Sequence, residues 1–309
     1  MIEVYSAPGL NDFLDKIVCV LVSFCTEAIN NPMCFPMTAT LVGMATTAYA
    51  LMSVERIRFS NHRLLASFMI TMGNVIGTGV IAPFAWLPWY GWSLIRHQDN
   101  IHTDKPETSE GIEKKSLMPR KGHSVPSVAP HYTFSIATAA LFGQFLPVAL
   151  LVSHGPGLTQ RNILASFQYF PIVYGLIECI LPSLLKHLDS PVKKDGTESV
   201  KLMYAAIAGI NAFLYYWVWI KWLQTAASPD LMVRQWIQLF FSFGETHDNP
   251  VTYMLMWDNV ALFSTFAYWA WLEDGLEGLK TMVISSFLFG PGSGLALYAM
   301  KRESRIEQL

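Results

Sequence analysis

The sequence predicts an all-α, polytopic integral membrane helical bundle with seven or eight transmembrane helices. Two observations carry that prediction. Of its 309 residues, 52% are apolar and only 14% charged, where a soluble domain carries about a quarter charged. The charges are also segregated. Eight apolar stretches (13–30, 33–54, 64–92, 132–153, 163–185, 202–220, 250–272 and 281–300) hold only Asp15, Lys16, Glu27, Glu178 and Asp258. A helix needs about 20 apolar residues to cross the ~30 Å hydrocarbon core of a bilayer.

Taken in order, the first stretch is the shortest: IVCVLVSFC lies between Lys16 and Glu27. It fits either a tilted span packed inside the bundle or an interfacial helix. Segment 33–54 is long enough outright. Segment 64–92 is longer than one crossing requires, and Pro83, Pro88 and the aromatic cluster Trp86, Trp89, Tyr90 and Trp92 predict that its span ends near Ala82. Segments 132–153, 163–185, 250–272 and 281–300 each suffice, and 202–220 does so with Lys221 and Trp222 anchoring its end. Aromatic clusters at the segment ends read as an interfacial belt. The polar insertion 96–131 reads as a flexible extramembrane loop, so residues 1–309 form a single membrane domain. LMVRQWIQLFFSF, between Pro229 and Gly244, is amphipathic and suits the bilayer surface. With these spans, Lys and Arg divide almost equally between the two sides, so the positive-inside rule assigns no orientation. An endoplasmic reticulum membrane is the expected location.

Several function classes drop out. The net charge is −2, with no basic stripe, which argues against nucleic-acid binding. The four cysteines, Cys19, Cys25, Cys34 and Cys179, lie in apolar segments without CxxC or a partner histidine pattern. They read as small buried hydrophobes and not as zinc ligands or a disulfide framework. The first twelve residues lack a basic stretch, so a cleavable leader is not expected. Asn11-Asp12-Phe13-Leu14-Asp15 matches the NDxxD opening of membrane prenyltransferases. However, the next expected acid is Cys19, and no second Asp-rich run follows. A Mg²⁺-diphosphate site would lack half its ligands. No DxDD, HExxH, GxSxG, P-loop or dinucleotide fingerprint is present. Neither a metal nor a cofactor is expected.

An ionisable residue inside a spanning helix is costly, about 2.5–3.5 kcal/mol at the centre on insertion scales, and is a functional hypothesis by default. Asp258 is the clearest case. It lies in VTYMLMWDNVALFSTFAYWAW beside Trp257 and Asn259, with no Lys or Arg in that helix. A carboxyl there is expected to stay protonated and to serve as a proton donor, or else to hydrogen-bond a neighbouring helix. Glu55, in MSVERIRFSN, fits either an acid or an interfacial ion pair with Arg56 and Arg58. Glu27 and Glu178 fit a second proton-handling group or a helix–helix hydrogen bond. His154, in SHGPG, is expected to be exposed. A few internal acids among many aromatics suit one chemistry in particular: a buried carboxylic acid protonates an epoxide or alkene, aromatic faces stabilise the carbocation, and water is kept out.

The runs MSVERIRFSN, GNVIGTGVIAPFAW, MWDNVALFSTFAYWAW and FGPGSGLALYAMKRE, in this order and spacing, resemble the fungal membrane-bound terpene cyclases of meroterpenoid secondary metabolism, especially the ascochlorin and ascofuranone type. The pyripyropene and indole-diterpene cyclases are more distantly similar. The resemblance spans most of the chain outside the first thirty residues and 96–131. It implies acid-initiated, metal-independent cyclisation of an epoxidised farnesyl chain on a prenylated phenol or polyketide, with an upstream epoxidase supplying the epoxide. It also implies an early Glu and a late Asp as the acids, matching Glu55 and Asp258. Asn74, Trp257, Asn259 and Glu178 are the candidates for contacting substrate. Two other readings stay open. One is a sterol isomerase-like bundle acting on an alkene. The other is a small-molecule transporter or scaffold, disfavoured by the absence of an internal repeat.

Overall fold

The computed structural model describes residues 10–60, 64–103, 126–186, 196–225, 228–241 and 250–307, and every regular element among them is helical. The bundle is organised around α2 (Phe35–Phe59), which runs from an end near Pro32 to an end near Arg58. Beside it, parallel, runs α9 (Phe170–Leu185). Phe170 stacks on Tyr49, Tyr174 Oη lies 3.4 Å from Ser53 Oγ, and Glu178 pairs with Arg56. The first limb of α12 (Pro250–Phe289) follows the same direction. Thr252 lies 3.0 Å from Cys34 at the Pro32 end, and Arg302 joins Glu273 to Glu55 at the other. Antiparallel to these runs α10 (Thr197–Thr225), fixed to α2 by Asn211 donating to the Gly43 carbonyl at 3.0 Å and by Trp222 Nε1 donating to the Pro32 carbonyl at 3.0 Å.

Two predicted spans are not single crossings. Segment 64–92 is a hairpin. Helix α3 (Leu65–Ile76) starts with Ser67 near Glu178 at the Arg58 end and descends until Gly73 lies against Tyr49. The chain breaks at Gly77, whose φ of 120° only glycine adopts readily. It then climbs back through α4 (Thr78–Ile81) and α5 (Leu87–Thr103), so that Tyr90 donates to Glu273 back at the Arg58 end. The span therefore does not end near Ala82, and residues 96–103, read as loop, continue a helix. Segment 281–300 is likewise two limbs. Gly275 (φ 61°) turns α12 back on itself, and Gly290 (φ 89°) starts α13 (Pro291–Ile306). Lys301 donates to Thr281 at 2.9 Å, and a side chain on Gly294 would collide with Ser286, so these limbs lie antiparallel. The tip of this hairpin is buried. Gly292 passes so close to α2 that a β-carbon would stand 2.6 Å from the Gly43 carbonyl, and Thr47 Oγ1 bonds its carbonyl at 2.9 Å. Both tips reach the middle of α2. Apolar length determines whether a segment is long enough to cross, but a glycine in an extended or left-handed conformation decides whether it turns back.

Prolines shape the remaining path. The passage from α6 (Pro130–Ala140) to α7 (Leu146–Ser153) contains a π-turn over Leu141–Phe145, and a matching π-turn over Ala82–Trp86 joins α4 to α5. Each turn is followed, two residues on, by proline (Pro147 and Pro88). Proline offers no N–H and crowds the carbonyl four residues back, and the wider turn relieves both. A short α8 (Leu158–Phe167) meets α9 at a 46° bend. At the Pro32 end, α1 (Leu10–Asn30) packs on α8, and α11 (Pro229–Phe241) buries no residue, as suits a helix lying on a surface. The side chains of Asn11–Asp15, like residues 104–125 of the polar insertion, lie outside the described residues.

Three described helical passages (Phe35–Phe59, Pro130–Ser153 and Thr197–Gln224) are long and apolar enough to cross a membrane, or four if α8 and α9 count as one bent span. The outer surface agrees. Phe68, Phe84, Phe134, Phe213, Ile284 and Phe287 are all more than half exposed, while charged Glu55, Arg58, Arg302 and Glu303 are buried. An apolar exterior around a charged interior is compatible with an integral membrane protein.

Candidate active site

Asp258 sits two turns into α12, where that helix meets the tip of the first hairpin. The backbone N–H of Gly79 donates to Asp258 Oδ1 at 2.5 Å. The approach depends on the GTG run. A β-carbon on Gly79 would stand 2.5 Å from both the backbone and side-chain oxygens of Asp258, and one on Gly77 would stand 3.1 Å from Oδ1. The GNVIGTG sequence is thus the contact surface for one carboxyl group.

That carboxyl faces a cavity of about 350 Å³ lined by residues of α1, α2, α3, α4, α7, α8, α9, α10 and α12 and of the π-turn Leu141–Phe145. Its walls are apolar and aromatic. Phe167 stacks on Phe170 with centroids 5.0 Å apart, and Phe170 stacks on Tyr49 at 6.1 Å, while Phe24, Phe35 and Trp217 line other parts. Among the described residues lining it, Asp258 is the only carboxylic acid, and there is no Lys, Arg or His. The remaining polar groups are few: Tyr49 and Thr78, hydrogen-bonded to each other at 2.8 Å, with Asn74, Thr38, Cys25, Gln144 and Gln168.

The other predicted acid is elsewhere. Glu55, fully buried, accepts from Arg58 Nη1 at 2.8 Å and from Arg302 Nη1 at 2.8 Å. Arg302 also bonds Glu273 at 2.7 Å and Tyr90 at 2.9 Å, and lies over the Trp269 ring. Arg58 forks onto Glu303. Glu55 is not among the described residues lining the Asp258 cavity; the second hairpin brings Arg302 and Glu303 onto the end of α2 and closes it with ions. A carboxylate held by two guanidiniums is a poor proton donor.

Of the predicted substrate contacts, Asn74 lines the Asp258 cavity, and the others do not. Trp257 stacks on Phe240 of α11 at 5.1 Å. Asn259 donates to the Met37 carbonyl at 3.1 Å, tying α12 to α2. Glu178 pairs with Arg56 at 2.8 Å beside a separate polar cavity of about 690 Å³, lined also by His131 and Lys186. Glu27 accepts from Asn31 one turn on, at 2.7 Å, and His154 is exposed. Tyr49, Thr78, Gln144 and Gln168 were not anticipated. Nothing in the sequence separates a site tyrosine from a packing one. Among the described residues no group of three or more His, Cys, Asp or Glu could hold a metal ion.

The CtvD domain matches residues 6–306 of this sequence. The chain belongs to the CtvD domain family. That family is meroterpenoid cyclase-like, so membership points to a cyclase-type role and is consistent with an enzyme. The match covers both glycine-broken hairpins, Asp258 and the ionic cluster, so the CtvD domain is the whole described bundle. Comparison with curated proteins and with solved structures returns no match.

Proposed function

We propose that this CtvD-domain protein is an integral membrane terpene cyclase that isomerises an epoxidised farnesyl chain carried on a phenol or polyketide head. One observation carries the proposal: Asp258 opens into an aromatic-lined cavity where, among the described residues, it is the lone carboxyl group and no basic side chain is present to neutralise it. In the bilayer we read five crossings (α2, α6–α7, α8–α9, α10 and the first limb of α12) and two hairpins entering from the Arg58 end, in place of seven or eight spans.

In the mechanism, protonated Asp258 delivers its proton to the terminal epoxide oxygen. The C–O bond to the more substituted carbon breaks, leaving a hydroxyl group and a tertiary cation. The chain's alkenes attack in turn, and the sequence ends when a hydroxyl captures the cation or a C–H proton leaves. Either event releases one proton, which returns to Asp258, so substrate and product are isomers. The Gly79 N–H stabilises the carboxylate present between the two transfers, as a hydrogen bond to a charged acceptor does. The stacked faces of Tyr49, Phe170 and Phe167 stabilise the travelling cation, and the apolar walls keep water from quenching it. Glu55 has a different task in this reading: with Arg58 and Arg302 it locks the second hairpin against α2.

The test is expression in a heterologous membrane supplied with an epoxyfarnesyl phenol. A product of unchanged mass and new retention time, absent with Asp258→Asn, supports the proposal. Full turnover by that variant rules out the acid assignment, and conversion of a sterol alkene in place of the epoxide would favour an isomerase.

A further inference from the structure

Among the cavity's polar groups that the cyclisation scheme leaves unused, one carries a buried oxygen without a partner. Gln144 sits on the π-turn Leu141–Phe145, where the wider helical turn before Pro147 presents its side chain to the Asp258 cavity. The residue is 3% exposed, yet its Oε1 has no hydrogen-bond partner. The neighbouring polar groups are occupied: Tyr49 with Thr78, Asp258 with Gly79, and Gln168 Nε2 with the Leu164 carbonyl. A buried amide oxygen without a donor is rare in folded proteins and calls for a partner, and the side chain that carries it lines the cavity. π-Turns of this kind recur at functional sites.

We infer that Gln144 is the acceptor for a substrate hydroxyl group and thereby selects how the carbocation is terminated. The inference rests on the cyclase reading and deepens it. The hydroxyl O–H donates to Gln144 Oε1, which holds the oxygen lone pair toward the cationic carbon. A C–O bond forms as that lone pair attacks, and the hydroxyl proton passes to the Asp258 carboxylate, restoring the acid. Without the acceptor the hydroxyl is not held, and the cation decays by losing a C–H proton to the same carboxylate, giving an alkene. Both products are isomers of the substrate, so Gln144 controls their ratio and not their mass.

Two variants test it. Gln144→Met keeps the length and removes the acceptor; Gln144→Glu keeps a carbonyl acceptor in the same shape. The expected result is at least a tenfold fall in the cyclic ether-to-alkene ratio with Gln144→Met, largely restored by Gln144→Glu. An unchanged ratio in Gln144→Met overturns the inference. A binding arm separates this from failure of the cyclase reading. With Asp258→Asn protein in nanodiscs, quenching of tryptophan fluorescence reports the affinity for farnesol against farnesyl methyl ether, which lacks the donor. Preference for the alcohol that disappears in the Asp258→Asn, Gln144→Met double variant supports the site even if no epoxide is ever cyclised. Equal affinity for alcohol and ether in Asp258→Asn overturns it.

A second inference follows independently from the two hairpins. Because both enter and leave at the Arg58 end, the described residues 56–60, 96–103, 126–131, 186, 196–201, 273–280 and 301–307 all belong to that end. Of the 13 Lys and Arg among the described residues, nine fall in these segments and four do not: Lys16 on α1, and Arg161, Lys221 and Arg234 at the opposite end. The geometry points to the Arg58 end as cytosolic, by the positive-inside rule. An N-glycosylation acceptor inserted at Gly155–Gly157 is expected to be modified in microsomes, and one inserted within 104–125 to stay unmodified. The reverse pattern overturns the orientation. So does modification of neither acceptor together with labelling of a cysteine at 155–157 by a membrane-impermeant maleimide applied from the cytosolic side.

Discussion

Asp258 and Glu55 are both carboxyl groups on helices that cross an apolar bundle, and both lie against a glycine-broken hairpin, yet the two regions are opposites. Around Asp258 the hairpin offers a backbone N–H and an aromatic cavity. Around Glu55 it offers Arg302 and Glu303, which join Arg58 of α2, Tyr90 of α5 and Glu273 of α12 in one buried ionic cluster. The difference teaches that an acid inside a membrane helix is not in itself a proton donor. Its partners differ from site to site: Asp258 meets a backbone N–H, and Glu55 is held between two arginines.

The largest expected effect breaks the comparison on the Asp258 side. Asp258→Asn removes the acid while keeping an acceptor for Gly79, so turnover should fall by about 10²–10⁴-fold with the melting temperature little changed. Activity assay and thermal denaturation of the same detergent preparation check this. On the other side, Arg302→Met leaves buried Glu55 and Glu273 without their shared partner. Loss of one member of a buried ion pair costs about 3–5 kcal/mol, so this variant should melt far earlier, with turnover per folded molecule much less affected. If instead it melts normally and is inactive, the division between the regions fails.

Two smaller changes sharpen the boundary. Gly79→Ala places a β-carbon against Asp258, and overpacking of this kind costs about 1–3 kcal/mol. It should lower both stability and turnover, since α4 must move away from the acid. Tyr49→Phe removes one hydrogen bond, to Thr78, worth about 0.5–1.5 kcal/mol, while keeping the ring that stacks on Phe170. A small loss of stability with retained cyclisation is expected; loss of cyclisation without loss of stability would make the hydroxyl part of the chemistry.

Much of the architecture was legible in the chain. The helices fall close to the predicted segments, α11 occupies most of the amphipathic run after Pro229, and Asp258 stood out as an acid without a basic neighbour in its own helix. Glu55 was harder to read, because its decisive partner, Arg302, is 247 residues away, while its sequence neighbours suggested only a local pair. Tyr49 and Gln144 could not be picked out, since a polar side chain among apolar ones looks the same whether it faces a cavity or a packed wall.

By itself the sequence determined composition and period: which segments are apolar enough to be helices in a bilayer, and which of them carry an acid. Only the tertiary structure decided their paths and partners. The physical reason is that hydropathy sums over residues and is blind to direction. Segments 64–92 and 281–300 have the apolar length of a span, but Gly77 and Gly290, at positive φ, turn them back. That reversal delivers one hairpin tip to Asp258 and, through the other hairpin, Arg302 to Glu55.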